Sequence, residues 1–160
     1  MRRPVLACLS APISFLVLAA TNPAHAADNF YVGTWKISAA AVAPWADRKQ
    51  RPDESEKTRL MGKTIGLSAK RISGPSPFPC AGPHYRVSDF TADMIFQGAF
   101  GEMQSSNKSI DPNKIAASLG FTKPGSIKTL ETGCEIDFHF VDDATAEVGL
   151  NDYVYTLKKQ

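Results

Sequence analysis

Hydrophobic and polar residues alternate along several short stretches of this chain, and each stretch predicts a β-strand. In the first stretch, Tyr31, Trp35 and Ile37 lie on the same side of an extended backbone. Aromatic and β-branched residues, which favour strands, are frequent in these stretches. The pattern predicts strands over residues 30–37, 63–72, 85–90, 94–100, 126–132, 134–141, 146–150 and 153–157.

Two segments carry helix signals. Pro112 suits the first turn of a helix and Gly120 suits the position after its end, which predicts a helix over residues 112–119. Residues 47–58 are rich in charge, and Pro52 fits the first turn of a short helix, so this segment is either a loop or a solvated helix. We therefore expect one or two short helices.

Many short strands and few helices indicate a mainly β protein. The alternation of strand and helix that is typical of parallel sheets does not occur, so the sheet is expected to be antiparallel. We predict an antiparallel β-barrel. A small sandwich stays open as the alternative, because the pattern shows which faces are apolar and not how the sheet closes.

The first 26 residues have the features of a secretory leader. Arg2 and Arg3 are followed by an apolar stretch too short to span a bilayer and then by the small-residue site Ala24-His25-Ala26. We predict a signal peptide over residues 1–26, a single domain over residues 27–160, and a periplasmic or secreted location. The mature chain has no second stretch long enough to cross a membrane.

Removing the leader changes the charge of the protein. The 18 basic residues of the chain fall to 16 without Arg2 and Arg3, which equals the 16 acidic residues. The charges of the mature chain are neutral in sum and interspersed, and nucleic-acid binding proteins instead carry basic patches. We therefore expect no nucleic-acid partner.

Two of the three cysteines remain in the mature chain. Cys80 and Cys134 are expected to form a disulfide, because an even pair in an oxidising compartment is more often bridged than free. Cys80 lies in the segment Gly74–Pro83, which contains four prolines and should be extended and rigid. The bridge should fix this loop to the sheet.

The motif Gly33-x-Trp35 on the first strand resembles the opening motif of lipocalins and related calycin barrels. The resemblance implies a lipocalin-like barrel whose tryptophan closes one end, so Gly33 and Trp35 would be structural. Lipocalins pack a basic residue over this tryptophan, and Lys158 and Lys159 are the available substitutes. The chain is also similar to small exported bacterial proteins of unknown function, which implies no activity.

Aromatic residues supply the candidate binding surface. Trp45, Phe78, Tyr85 and Phe96 are predicted to contact a small hydrophobic ligand, at the barrel mouth or against Trp45 and the proline-rich loop. The same residues would serve equally well as core in a small barrel. A pocket inside the barrel would favour a carrier, and a filled interior would favour a protein that acts through its surface.

The alternative function is an interaction module that inhibits an exported hydrolase such as lysozyme or a protease. A rigid loop loses little conformational entropy on binding, which suits an inhibitor, and the segment Gly74–Pro83 is the candidate.

Catalytic and metal-binding signals are few. Asp137 and His139 are two residues apart on one predicted strand, so both side chains leave the same face and could bind a metal. A solvated strand face gives the same pattern. The chain lacks complete catalytic motifs, and we predict a protein that is not an enzyme and uses no cofactor.

Overall fold

The computed structural model describes residues 29–160, so the predicted leader lies outside the described residues. Most of this part of the chain forms one antiparallel sheet of nine strands that curls into a half-barrel. The prediction of a mainly β, barrel-like fold is confirmed. None of the described helices is long and apolar enough to cross a membrane.

The strands are short except for the first. They are β1 (Gly33–Val42), β2 (Thr64–Ser68), β3 (Arg71–Ser73), β4 (Cys80–Ala81), β5 (Arg86–Phe90), β6 (Ile127–Glu131), β7 (Phe138–Asp142), β8 (Thr145–Leu150) and β9 (Tyr153–Lys159). The described residues also form a 3-10 turn (Asn29–Tyr31) and the helices α1 (Glu54–Leu60), α2 (Ile95–Ser106) and α3 (Pro112–Ser118).

Nearly every strand pairs with its neighbour in sequence. The order across the sheet is β4-β3-β2-β1-β9-β8-β7-β6-β5, so the first and last strands pair and the sheet is open only between β4 and β5. We call this opening the seam. The predicted disulfide is confirmed, and it joins Cys80 of β4 to Cys134 in the loop between β6 and β7, across the seam.

Side chains on the inner face of the sheet form one continuous buried cluster. Strand β9 contributes Tyr153, Tyr155 and Leu157, which alternate with residues that point to the other face. Trp35 is also fully buried in this cluster, and the ammonium group of Lys159 lies 5.5 Å from the centre of its ring. The interior of the half-barrel is therefore filled by its own side chains.

Helix α1 packs against this inner cluster through Leu60. The hydroxyl of Tyr153 donates to Glu54 at 2.8 Å, and the hydroxyl of Tyr155 donates to Glu56 at 3.2 Å. The helix begins after Asp53, whose carboxylate accepts from the first backbone N–H groups of the helix. Helix α1 therefore supplies hydrogen-bond acceptors for the hydroxyls of two buried tyrosines.

A second, smaller cluster lies on the outer face of the sheet. It joins Phe100 of α2 and Ala116 of α3 to Val154 of β9 and Ile127 of β6. Because Val154 alternates with the inner residues of β9, the two clusters lie on opposite faces of the same sheet. Helices α2 and α3 thus cover part of the outer face.

The strand predicted over residues 94–100 is wrong, because this segment begins helix α2. Its apolar residues Ile95, Phe96 and Phe100 are all buried in the outer cluster, which a strand with alternating faces would not achieve. The structure also adds the short strand β4 within the proline-rich segment, which was predicted to be a loop. Other differences concern boundaries: β1 continues to Val42, and the predicted strand over residues 63–72 is the hairpin of β2 and β3.

Candidate functional site

A groove on the outside of the half-barrel runs between helix α2 and the segment that follows β1. Its volume is about 530 Å³. We call it the Trp45 groove. It is lined by the apolar residues Pro44, Trp45, Ala99, Met103 and Ile110 and by the polar residues Glu102, Ser106 and Asn107.

One face of helix α2 forms a wall of the groove. Ala99, Glu102, Met103 and Ser106 have the spacing i, i+3, i+4 and i+7, which brings them to the same side of a helix. After the helix the chain turns back, with the N–H of Ile110 donating to the carbonyl of Asn107 at 3.0 Å. Regular helix geometry therefore explains why these residues meet.

The indole of Trp45 also lines the groove and is held in place. Its Nε1 donates to the carbonyl of Asn151 at 2.9 Å. Its ring centre is 5.2 Å from that of Phe96 and 5.9 Å from that of Phe100. Trp45 is nevertheless half-buried, so an aromatic surface with a fixed orientation remains accessible.

Gly149 of β8 makes room for this aromatic group. A Cβ atom at this position would lie 2.8 Å from Phe96 and 3.0 Å from Trp45, closer than van der Waals contact allows. Sequence analysis did not identify Gly149, because nothing in the sequence shows which rings cross the strand at this point.

Three consecutive residues of helix α2 have left-handed backbone angles. The φ values are 52° for Phe96, 55° for Gln97 and 81° for Gly98. Only glycine adopts this region without cost, so Phe96 and Gln97 need support from their surroundings. The backbone N–H of Phe96 finds that support in the imidazole of His139, which accepts its hydrogen bond at 2.9 Å.

His139 is buried and both of its ring nitrogens have protein partners. Nε2 accepts from Phe96, and Nδ1 lies 2.9 Å from the Thr129 hydroxyl. Burial lowers the pKa of His139 to about 3, so the imidazole is neutral and can accept a hydrogen bond. The residue supports the left-handed turn beside the groove.

Asp137, the other predicted metal ligand, also has a protein partner. Its carboxylate accepts from the backbone N–H of Thr132 at 3.0 Å, and burial raises the pKa of Asp137. Within residues 29–160, no cluster of three or more His, Cys, Asp or Glu side chains could hold a metal ion. Metal binding by Asp137 and His139 stays a prediction, and the described residues offer no third ligand beside them.

His139 belongs to a polar row across four neighbouring strands. Thr129, His139, Glu147 and Thr156 are successive cross-strand partners and therefore lie on the same face. Glu147 is only 5% exposed, and desolvation raises its pKa to about 7. The Thr156 hydroxyl donates to its carboxylate at 3.1 Å, which lowers the pKa but does not offset the desolvation. Glu147 was not identified from the sequence, although its position opposite His139 was a possible signal.

A separate cleft lies at the seam. It has a volume of about 410 Å³ and is lined by the disulfide and by residues on either side of it, among them Pro77, Phe78, Pro79, Glu135 and Ile136. Phe78 is almost fully buried at the base of the proline-rich loop. It therefore anchors the loop to the inner cluster.

The four predicted ligand-binding residues do not form one site. The structure brings Trp45 and Phe96 together beside the groove, although Phe96 is itself buried. Phe78 and Tyr85 instead pack with the inner cluster. Tyr85 contacts Tyr31, at 5.0 Å between ring centres, and burial of its phenol raises its pKa to about 12.

The predicted structural pair Gly33 and Trp35 begins strand β1. Gly33 has a φ of 140°, and a Cβ there would approach the Lys159 side chain to 3.2 Å. The indole Nε1 of Trp35 donates to the carbonyl of Tyr31 at 2.8 Å.

Comparison with protein-family models, curated proteins and solved structures finds no match for the chain.

Proposed function

We propose that this protein binds a small hydrophobic molecule in the Trp45 groove, on the outside of the half-barrel, without catalysing a reaction. The observation that supports the proposal is the half-buried indole of Trp45, which a hydrogen bond holds in place in the same groove as the apolar side chains of Ala99, Met103 and Ile110. The same proposal includes the location: because the chain begins with a predicted leader, we expect the protein to bind its ligand in the periplasm or outside the cell.

The filled interior argues against a ligand inside the barrel. The inner cluster extends from Ile65 and Leu67 on one side of the sheet to Leu130 and Phe138 on the other, and all four side chains are buried. A ligand there would have to displace packed side chains, which costs stability. The binding surface favoured by the fold is therefore external.

The Trp45 groove has the properties of a small-molecule site. Its volume of about 530 Å³ lies within the usual range of roughly 300–1,000 Å³ for ligand pockets. Trp45, Met103 and Ile110 are half-buried and offer apolar surface that a ligand would remove from water. Little reorganisation is needed, because hydrogen bonding and ring contacts already fix the tryptophan.

Titration with the neutral fluorescent probe Nile red tests the proposal. We expect saturable binding to the wild-type protein and about tenfold weaker binding to Met103→Gln, since loss of an apolar contact of ~1.4 kcal/mol changes affinity tenfold. Ser105→Gln is the matched control, because Ser105 is exposed on the same helix and does not line the groove. Equal affinities for the two folded variants, or no binding to the wild type, would refute the proposal.

The second candidate is an interaction module that inhibits an exported hydrolase. The proline-rich loop favours it, because the disulfide at Cys80 and the buried ring of Phe78 restrain the loop before any partner binds. Lysozyme and protease assays with added protein test it. Both Ala81 and Ala144 are exposed, and only Ala81 lies on the loop. This function would be supported if the wild type and Ala144→Arg inhibit an enzyme and Ala81→Arg does not. No inhibition would exclude these enzymes as targets.

A further inference from the structure

We infer that the ligand of the Trp45 groove is an amphipathic organic cation, with its apolar part against Trp45 and Met103 and its positive group beside Glu102. The inference rests on the proposed function and adds the chemical class of the ligand. It depends on the charge of the groove rather than on its apolar surface.

Glu102 gives the groove its charge. It is the only charged residue among the eight described residues that line the groove. Its side chain is exposed and forms no salt bridge with any residue in the part of the chain that the structure describes. A bound cation would therefore have this carboxylate as its partner, whereas a bound anion would be repelled by it.

The end of helix α2 adds to the negative potential. The last turn of this helix contributes Met103 and Ser106 to the groove, and Asn107 is its C-cap. The carbonyl groups at the C-terminus of a helix carry a partial negative charge, and no basic side chain in the last turn of α2 compensates it. Lys108 follows the helix but does not line the groove.

The remaining lining is suited to a cation. The face of an indole attracts a positive group, and Trp45 lines the same groove as Glu102. The side-chain oxygen of Asn107 already accepts from the N–H and the hydroxyl of Ser109, at 3.0 and 2.8 Å. Glu102 is thus the group in the groove that attracts a cation most strongly, because its carboxylate carries a full charge and the attraction needs no hydrogen-bond donor on the ligand.

Three probes with the same alkyl chain and different head groups test the inference. These are decyltrimethylammonium, decyl maltoside and decyl sulfate, each titrated by calorimetry below its micelle concentration at low ionic strength. We expect the cation to bind at least about tenfold more tightly than the other two, with a preference that decreases in high salt. Glu102→Gln should reduce the ratio of cation to maltoside affinity by at least about threefold, and the helix end and the indole account for the preference that remains.

The control variant is Asp143→Asn, which removes an exposed carboxylate that lies in the turn between β7 and β8. It should keep the full preference for the cation. Equal binding of all three probes, or a cation preference that is undiminished in Glu102→Gln, would overturn the inference and leave the binding function intact. No binding of any probe would overturn both.

Discussion

Glu147 is a carboxyl group buried between polar neighbours on the outer face of the sheet. It has one hydrogen bond, from Thr156, and faces the neutral imidazole of His139 on the adjacent strand. The positive charge of Lys158 on β9 attracts the carboxylate and opposes the desolvation in part. The folded protein therefore favours the protonated form of Glu147.

This preference makes stability depend on pH. The pKa of Glu147 is about 7 in the folded state and 4.5 for an ordinary glutamate, so the stabilisation is complete below pH 4.5 and is lost as pH rises to 7. Glu147→Gln imitates the protonated form. We expect it to be more stable than the wild type at pH 8, by up to about 3 kcal/mol, and equal to it below pH 4.5.

Urea denaturation of both proteins at several pH values measures the difference. Glu135→Gln serves as the control, because Glu135 is exposed. A Glu147→Gln variant whose advantage does not change with pH would contradict the assignment of a protonated carboxyl group.

Gly149 is a second residue whose role is set by its neighbours. Gly149→Ala should destabilise the protein by about 1–3 kcal/mol, because the new methyl group would overlap Phe96 and the indole of Trp45. Gly125→Ala is the control, since nothing lies within 4 Å of its added Cβ atom. Urea denaturation of the two variants measures the effect. Equal midpoints for Gly149→Ala and Gly125→Ala would show that the two rings can move aside freely.

The left-handed turn of helix α2 is the least regular element of the fold. Gln97 is exposed and has a φ of 55°, which costs an L-residue roughly 1–2 kcal/mol. Gln97→Gly is therefore expected to raise the free energy of unfolding by about 1 kcal/mol. At Ser105, an exposed position near the end of the same helix, glycine should instead be destabilising.

Thermal and urea denaturation of the two glycine variants would test this. Destabilisation by Gln97→Gly, similar to that by Ser105→Gly, would show that the turn is not strained at this residue.

Sequence pattern predicted the strands well and this helix badly, for one physical reason. Strands such as β9 alternate between two buried clusters, and alternation in the sequence records that directly. The segment over residues 94–100 contains Ile and Phe, which favour strands, but its conformation depends on a hydrogen bond to His139, about 40 residues away in the sequence. Local preference could not reveal this contact.

The candidate site was predictable only in part. Trp45 and Phe96 were identified as aromatic candidates, and they meet because α2 crosses the outer face of the sheet near Gly149. The same covering helices explain why His139 is buried although its strand was expected to have a polar outer face. Alternation distinguishes two faces but does not show whether something packs on the second one.

The complete half-barrel depends on the disulfide that bridges its seam. Cys80 and Cys134 are separated by 54 positions, and a closed loop of this length is worth about 4 kcal/mol in the chain-entropy model. Replacing both cysteines by alanine should lower the free energy of unfolding by about 2–5 kcal/mol, which is the usual effect of removing a native disulfide. Urea denaturation measures the loss, and an unchanged midpoint would contradict it.

The pairing of β1 with β9 has a consequence for synthesis and folding. The partners in every other pair of neighbouring strands are at most 45 residues apart in sequence, whereas Trp35 lies opposite Lys159, 124 residues later. Bringing such distant segments together carries a larger loop-closure entropy, so this step is expected late in folding. Because β9 leaves the ribosome after the other eight described strands, a nascent chain cannot complete the packing around Trp35 before β9 has been made. Until that point β1 has only β2 as a neighbour, and the half-barrel is divided between its first and last strands.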